Sequence, residues 1–163
     1  MRIAQIAPLH EAVPPKLYGG TERVVSYLTE ALVDLGHDVT LFASGDSQTG
    51  ARLEPVWPHS LRLDPGIGDP FALHLVLLEK VRRVAHTFDV LHFHLSYLPF
   101  PTFSPLGVPF VTTLHGRLDL PELNRCSTCS RRRPSFRYPI RSGCRCRTRT
   151  GSIRSITACR KIC

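Results

Sequence analysis

LYGGTERVVSYLTEALVDLGHDVTLFASG, residues 17–45, is the stretch that decides the fold of this chain. From residue 21 onward its apolar residues recur at steps of three and four, a spacing that predicts an amphipathic helix. Thr21 is the expected N-cap of this helix, and Gly36 is the expected stop at its carboxyl end. The stretch that follows, HDVTLFAS at residues 37–44, predicts a buried strand. The side chains predicted to face the core from the helix are Val24, Val25, Leu28, Ala31, Leu32 and Leu35.

The segments around this stretch predict further strands and helices in alternation. Residues 2–8 (RIAQIAP) form a short apolar run ended by proline, which predicts a first strand and completes one β-α-β unit. Residues 70–88 predict a second helix, with proline at its first position and Asp69 as its cap. Further strands are predicted at residues 53–57, 89–94 and 109–115. Because β-α-β units wind right-handed with parallel strands, the prediction is an α/β fold with a Rossmann-like, doubly wound parallel sheet.

Charge divides the chain into two unlike parts. Residues 1–124 carry 9 Lys/Arg and 13 Asp/Glu, together with all 8 histidines and no cysteine. Residues 125–163 carry 12 Lys/Arg, no acidic residue and all 6 cysteines. The overall net charge of +8 therefore describes neither part. We predict a folded domain over residues 1–123 and a disordered, basic, Arg/Cys-rich tail over residues 124–163.

The sequence also bears on where the protein works. No run approaches the ~18 apolar residues of a membrane-spanning helix, and the first residues are too broken by proline to act as a signal peptide. The expectation is a cytoplasmic protein without a transmembrane segment, with a peripheral membrane contact left open.

The glycine pair Gly19–Gly20 lies between the first predicted strand and the first predicted helix. At this place in a doubly wound sheet, ligands bind beyond the carboxyl ends of the strands, and a helix N-terminus offers N–H groups to an anion. The motif is neither G-x-G-x-x-G nor a Walker A sequence. Its spacing alone fits a phosphate or sugar site and a plain turn equally well.

Three histidines are predicted at the carboxyl ends of strands. His92 and His94 are two positions apart on one strand and point to the same face, and His115 ends the next strand. Their residue type permits a structural hydrogen bond, a contact with a polar substrate, or a metal site. A metal is the weakest of these alternatives, because no third ligand is evident near the pair.

The cysteines of the tail form an incomplete zinc pattern. Cys126 and Cys129 have zinc-ligand spacing, and the remaining four could complete a site. The twelve positive charges of this segment would also attract nucleic acid without sequence preference. A non-enzymatic zinc- or nucleic-acid-binding module is therefore kept as an alternative.

The motifs of residues 1–123 occur together in an order that resembles a known family. GGTE, LGHDVT, DVLHFH, PFVTTLHG and LDLPE follow one another as in the N-terminal domain of bacterial family-4, GT-B-type, retaining glycosyltransferases. The resemblance implies sugar transfer from a nucleotide-sugar donor, such as a UDP- or GDP-sugar, to an acceptor without a required metal or other cofactor. It implies that Gly19, Gly20 and Thr21 face the donor diphosphate and the acceptor. It also implies a catalytic His115 beside the transferred sugar, with His92 or His94 on the acceptor side.

The second Rossmann-like domain of such enzymes, which carries the nucleotide pocket, has no counterpart in this sequence. We therefore expect an incomplete GT-B fold and a chain that is inactive alone. A GT-B nucleotide-sugar epimerase is the other enzymatic alternative, because a fold does not fix a function.

The tail has the composition of a GC-rich gene translated out of frame. When the last base of each codon is joined to the first two of the next, PSFRYPIRSG permits FVSISDSQR and GCRCRTRTG permits VPLPHANW. These strings resemble the continuation of the family after its LDLPEL segment. We predict a missing base near residues 123–124, which makes residues 124–163 a frameshift product.

Overall fold

The computed structural model describes residues 1–62 and 64–116. The five strands are β1 (Arg2–Ile6), β2 (Asp38–Ser44), β3 (Arg52–Trp57), β4 (Val90–Phe93) and β5 (Phe110–Thr112). The α-helices are α1 (Gly20–Asp34), α2 (Pro70–Val84) and the short α3 (Phe100–Phe103), and the 3-10 helices span Ala85–Thr87 and Ser104–Leu106. The strands form one sheet in the order β3-β2-β1-β4-β5, and every neighbouring pair is parallel.

Both faces of the sheet are covered. On β2, Phe42 belongs to the larger apolar cluster, whereas Leu41 and Ala43 belong to the smaller cluster on the opposite face. This is the two-residue alternation of a strand. Helix α2 packs on the larger cluster through Leu77, and α1 packs on the smaller one through Val25. The predicted Rossmann-like, doubly wound parallel sheet is confirmed.

Helix α1 begins two residues earlier than predicted. Gly19 is its N-cap, and it supplies no side-chain bond. Thr21 is the second helical residue, so the prediction of Thr21 as N-cap was wrong. The carboxyl end of the helix was predicted correctly: Gly36 has φ 79°, a conformation that glycine adopts without a steric penalty. The Gly36 and His37 N–H groups donate to the Val33 and Leu32 carbonyls at 2.8 and 3.1 Å, which closes the helix in a Schellman motif.

The buried face of α1 differs from the predicted apolar stripe. Of the six stripe residues only Val25 is buried, while Val24 and Leu35 are 47% and 72% exposed. The residues that face inward are Glu22, Val25, Ser26 and Thr29. The helix is held in this rotation by polar anchors on the same side, since the Glu30 carboxylate accepts from the Thr49 hydroxyl at 2.6 Å. The buried face of α1 therefore includes polar residues that the apolar spacing did not indicate.

The remaining elements follow the prediction to within a few residues. Helix α2 is capped by Asp69, whose carboxylate accepts from the Phe71 and Ala72 N–H groups at 2.9 and 3.3 Å. The connection from β4 to β5 contains only α3 and one 3-10 helix, in keeping with the expected lack of a full crossover helix. In the part of the chain that the structure describes, no helix is long and apolar enough to cross a membrane. The predicted boundary at residue 123 and the predicted disordered tail lie outside the described residues.

Candidate functional site

A cleft of about 700 Å³ opens at the carboxyl edge of the sheet. Parallel strands end at the same edge, so the loops that follow β1, β4 and β5 meet there with the N-termini of α1 and α2. The loops contribute Pro8, His10, His94, Leu95, Ser96, Tyr97, Leu98, His115 and Gly116, and the helices contribute Thr21, Asp69, Pro70, Phe71 and His74.

The two helix N-termini at this cleft differ in how their N–H groups are satisfied. Helix α2 is closed by the Asp69 carboxylate. Helix α1 has a glycine cap with no side-chain bond, and the Gly20 and Thr21 N–H groups donate to no group among residues 1–62 and 64–116. Helix N-termini carry a partial positive charge and attract anions. The start of α1 therefore remains available to an anionic ligand.

The two glycines of the predicted phosphate loop have different surroundings. A Cβ on Gly19 would lie 2.7 Å from the Cβ of Pro15, so the loop before α1 approaches this residue too closely for any side chain. A Cβ on Gly20 would meet nothing within 4 Å. Gly19 is thus required by packing within the chain, whereas Gly20 leaves open space at the first turn of α1. Neither glycine lines the cleft, although Thr21 does.

Glu22 is a buried carboxyl group beneath this first turn, and the helical pattern alone did not single it out. It is 4% exposed, and burial raises the pKa of its carboxyl above the usual range, with a further rise from the Glu11 carboxylate. The backbone N–H groups of Glu22 and Glu11 act in the opposite direction by donating to it. The carboxyl group ties the loop after β1 to the start of α1. The Gly-Gly-Thr-Glu motif was the sequence signal that could have indicated Glu22 as a site residue.

The three predicted histidines are joined in one hydrogen-bonded chain. Gln5 on β1 lies at its centre: its Nε2 donates to His92 Nδ1 at 3.4 Å, and its Oε1 accepts from His94 Nε2 at 3.0 Å. His92 Nε2 lies 2.8 Å from the Thr113 hydroxyl, and His94 Nδ1 lies 2.9 Å from His115 Nε2. We call these five residues, Thr113, His92, Gln5, His94 and His115, the histidine chain. It runs from the interior of the sheet edge to the cleft, where His94 and His115 are lining residues.

The histidine chain favours neutral imidazoles. Burial lowers the pKa of His92 to about 4, with a smaller contribution from His115. Burial also places the pKa of His94 well below its usual value, and the neighbouring His92 and His115 lower it further. Burial lowers the pKa of His115 in the same direction. At neutral pH the cleft therefore offers polar imidazole nitrogens without positive charge.

Two further histidines at the cleft were missed by the sequence analysis. His74 on α2 donates from Nδ1 to the Pro70 carbonyl at 2.7 Å and accepts the Leu9 N–H on Nε2 at 3.1 Å. It thereby ties the loop after β1 to the first turn of α2. The ring of His10 lies 4.9 Å from that of His74, and burial lowers the pKa of both. The position of His74 one turn after a proline-started helix was the only sequence signal for it.

The structure thus brings together part of the predicted site. Thr21, His94 and His115 share the cleft, and His92 is linked to it through Gln5. Their roles toward a donor and an acceptor stay predictions. Within the described residues, no group of three or more His, Cys, Asp or Glu side chains has the arrangement of a metal site. The zinc alternative rests on cysteines that lie outside those residues.

A family model and solved structures match this chain. A sequence profile described as Glycosyltransferase Family 4 matches residues 18–159, which extends past the predicted domain boundary at residue 123. One matching solved structure is AviGT4, a glycosyltransferase involved in avilamycin A biosynthesis, with 26% identity, 71% of this chain covered and a TM-score of 0.46. Another is sucrose-phosphate synthase from Thermosynechococcus elongatus, with 18% identity, 71% of this chain covered and a TM-score of 0.48. The chain spans 32% and 33% of these two proteins, and no curated protein matches it.

Proposed function

The chain belongs to glycosyltransferase family 4, and we propose that its carboxyl-edge cleft is one wall of a site that transfers a sugar from a nucleotide-sugar to an acceptor with retention. The observation that carries this proposal is the meeting of the open N-terminus of α1 with the neutral His115 across one cleft. An anion site beside uncharged polar groups suits a donor whose diphosphate is charged and whose sugar is not.

The donor diphosphate is assigned to the first turn of α1. The Gly20 and Thr21 N–H groups have no acceptor among the described residues. Thr21 lines the cleft, and the absence of a Cβ on the neighbouring Gly20 lets phosphate oxygens approach the backbone there. When the sugar leaves, negative charge grows on the diphosphate. Fixed N–H groups stabilise that charge without having to reorient during the reaction. In this proposal the N-terminus of α1 stabilises the negative charge of the leaving diphosphate, a task that a metal ion performs in other transferases.

The sugar is assigned to the cleft side of the histidine chain. His115 is half-buried and neutral, so it can hydrogen-bond a sugar hydroxyl without the cost of burying a charge. His94 is 3% exposed and reaches the cleft from behind His115, and His92 is a further step inside. Of the two histidines predicted on the acceptor side, only His94 is placed to contact the acceptor. His92 is instead an inner member of the histidine chain.

The second wall of the site is proposed to belong to a nucleotide-binding domain outside the described residues 1–62 and 64–116. We propose that this chain alone has no measurable transferase activity, because the described residues supply only one wall of the cleft. The donor base, a UDP- or GDP-sugar being the expected class, and a cytoplasmic location are further parts of the proposal.

The test compares the chain with a version translated from a frame-restored gene, in which one base is inserted near codon 123. Both proteins are incubated with a panel of UDP- and GDP-sugars, and release of the nucleoside diphosphate is measured. We expect release from the frame-restored protein and none from the chain. Release by the chain itself would contradict the claim of inactivity. A frame-restored protein that folds but turns over no member of the panel, with or without added acceptors, would contradict the proposed function.

A further inference from the structure

The hydrogen bonds of the histidine chain run in one direction. An amide nitrogen only donates and an amide oxygen only accepts, so Gln5 sets the role of the ring nitrogen on each side of it. Because Gln5 Nε2 donates to His92 Nδ1, that nitrogen carries no proton, and His92 Nε2–H donates to the Thr113 hydroxyl. On the other side, Gln5 Oε1 accepts from His94 Nε2–H.

The role of Gln5 also sets which ring nitrogens are protonated at the cleft. A neutral imidazole carries one N–H, so His94, protonated on Nε2, presents an unprotonated Nδ1. That nitrogen can only accept, and its partner at 2.9 Å is His115 Nε2. His115 is therefore protonated on Nε2, and its Nδ1 is the acceptor. Among residues 1–62 and 64–116 nothing donates to His115 Nδ1, and the ring lines the cleft.

We infer that Gln5 and His94 are positioning residues that fix the tautomer of His115, so that this histidine accepts a hydrogen bond from its ligand. The inference deepens the proposed function and rests on it only for the identity of the ligand. A group that must donate to His115 is a hydroxyl of a sugar or of an acceptor. A fully ionised phosphate oxygen only accepts and would face the lone pair of Nδ1. The histidine chain thus separates the sugar part of the cleft from the anion site at α1.

Burial makes Gln5 suited to this task. Gln5 is 0% exposed and His94 is 3% exposed, so water does not compete for the bonds that define the direction. The rings are also in contact: those of His92 and His94 are tilted by 35° with centroids 4.3 Å apart, and those of His94 and His115 stack with centroids 5.2 Å apart. An amide turned by 180° would reverse every donor and acceptor in the chain and leave His115 with an N–H toward the cleft. The two directions are therefore distinguishable states with opposite ligand chemistry.

The experiment measures the protonation of each ring nitrogen in the full chain. Uniformly ¹⁵N-labelled protein at pH 7.5 is observed through the two-bond couplings between imidazole carbon-bound protons and ring nitrogens, which distinguish protonated from unprotonated nitrogens. The expected result is Nε2–H with unprotonated Nδ1 in His92, His94 and His115. Protonated Nδ1 in His115, or an equal mixture of its tautomers, would overturn the inference.

A matched pair of variants tests the role of Gln5. Gln5→Met keeps the length of the side chain and removes both polar groups, and Gln48→Met makes the same change on an exposed loop. We expect the His94 and His115 ring-nitrogen signals to move toward averaged tautomers in Gln5→Met and to stay unchanged in Gln48→Met. Signals of Gln5→Met that match the wild type would overturn the role of Gln5. Should that variant fail to fold, the wild-type spectrum still decides the direction.

The measurement of ring-nitrogen protonation does not depend on sugar transfer. A wild-type spectrum with the expected tautomers together with a frame-restored protein that turns over no nucleotide-sugar would refute the proposed function and leave this inference standing. The opposite tautomers in a protein whose frame-restored form is active would refute this inference alone.

Discussion

Acidification should destabilise the domain through the buried end of the histidine chain, and the pKa of His92 allows the size of the effect to be calculated. Burial lowers the pKa of His92 from 6.5 to about 4, so the folded domain binds fewer protons than the unfolded chain below pH 6.5. When the unfolded state binds more protons, the free energy of unfolding rises with pH. The contribution of His92 is therefore fully present above pH 6.5 and is lost as the pH falls toward about 4.

The size of the effect follows from the two pKa values. Between pH 7 and pH 5, the linkage relation gives a loss of about 2 kcal/mol for His92 alone. A domain of this size has a total stability of about 5–15 kcal/mol, so this loss is readily measured. His94 and His115, whose pKa values are lowered as well, act with the same sign.

The assay is urea unfolding at pH 7 and at pH 5, followed by the fluorescence of Trp57, the single tryptophan, which packs against the larger apolar cluster. His92→Gln removes the titrating ring, and we expect it to reduce the difference between the two pH values by about 2 kcal/mol. His86→Gln is the control, because His86 is exposed on the 3-10 helix after α2. An identical pH dependence in wild type and His92→Gln, or a domain that gains stability on acidification, would refute the argument.

Three further predictions concern the glycines, the helix cap and the tail. Gly19→Ala should cost about 1–3 kcal/mol, because its Cβ would lie 2.7 Å from Pro15, whereas Gly20→Ala should be neutral or stabilising by up to about 1 kcal/mol. Thermal melts followed by circular dichroism compare the two, and equal destabilisation would show that the Pro15 contact is unimportant. Asp69→Ala should cost about 0.5–2 kcal/mol of stability by removing the cap of α2. Asp69→Asn should recover most of this stability in the same melts, and no recovery in the asparagine variant would contradict a capping role. Sequencing the gene across codons 120–130 should reveal an adjacent frame that continues the family's sequence, and its absence would contradict the frameshift hypothesis.

The sheet could be predicted from the sequence because its signals are local. Parallel strands buried on both faces appear as short stretches rich in apolar residues, and RIAQIAP and HDVTLFAS are such stretches on either side of a helical pattern. The cap at Asp69 and the stop at Gly36 are likewise set by one or two residues. Such features depend little on what packs against them.

The rotation of α1 could not be predicted in the same way. Apolar spacing indicated Val24 and Leu35 as core residues, but the inward face carries Glu22 and Thr29. This rotation of α1 depends on the hydrogen bond between Glu30 and Thr49 in the loop after β2, two residues that are 19 positions apart. A single helix pattern carries no information on such a contact.

The candidate site was predicted in part for a related reason. His92 lies near the end of β4, and His94 and His115 follow the ends of the neighbouring strands β4 and β5, so topology alone brings them to one edge. Their connection through Gln5 depends on the register of β1 beside β4, where Gln5 pairs with His92. His74 belongs to the cleft only because α2 starts beside the loop after β1. These contacts depend on which distant segments pack together, and the order of residues in the sequence does not reveal that packing.

The central claim, that this cleft is one wall of a sugar-transfer site, is tested most directly by the turnover of the frame-restored protein carrying His115→Ala. Removing one partner of a buried hydrogen bond costs about 1–3 kcal/mol, which corresponds to a factor of about 5 to 150 in rate. We predict a fall in kcat/KM of that order for His115→Ala, with His86→Ala within about twofold of the wild type and both variants melting as folded proteins. A His115→Ala protein that is folded and transfers sugar at the wild-type rate would contradict the account.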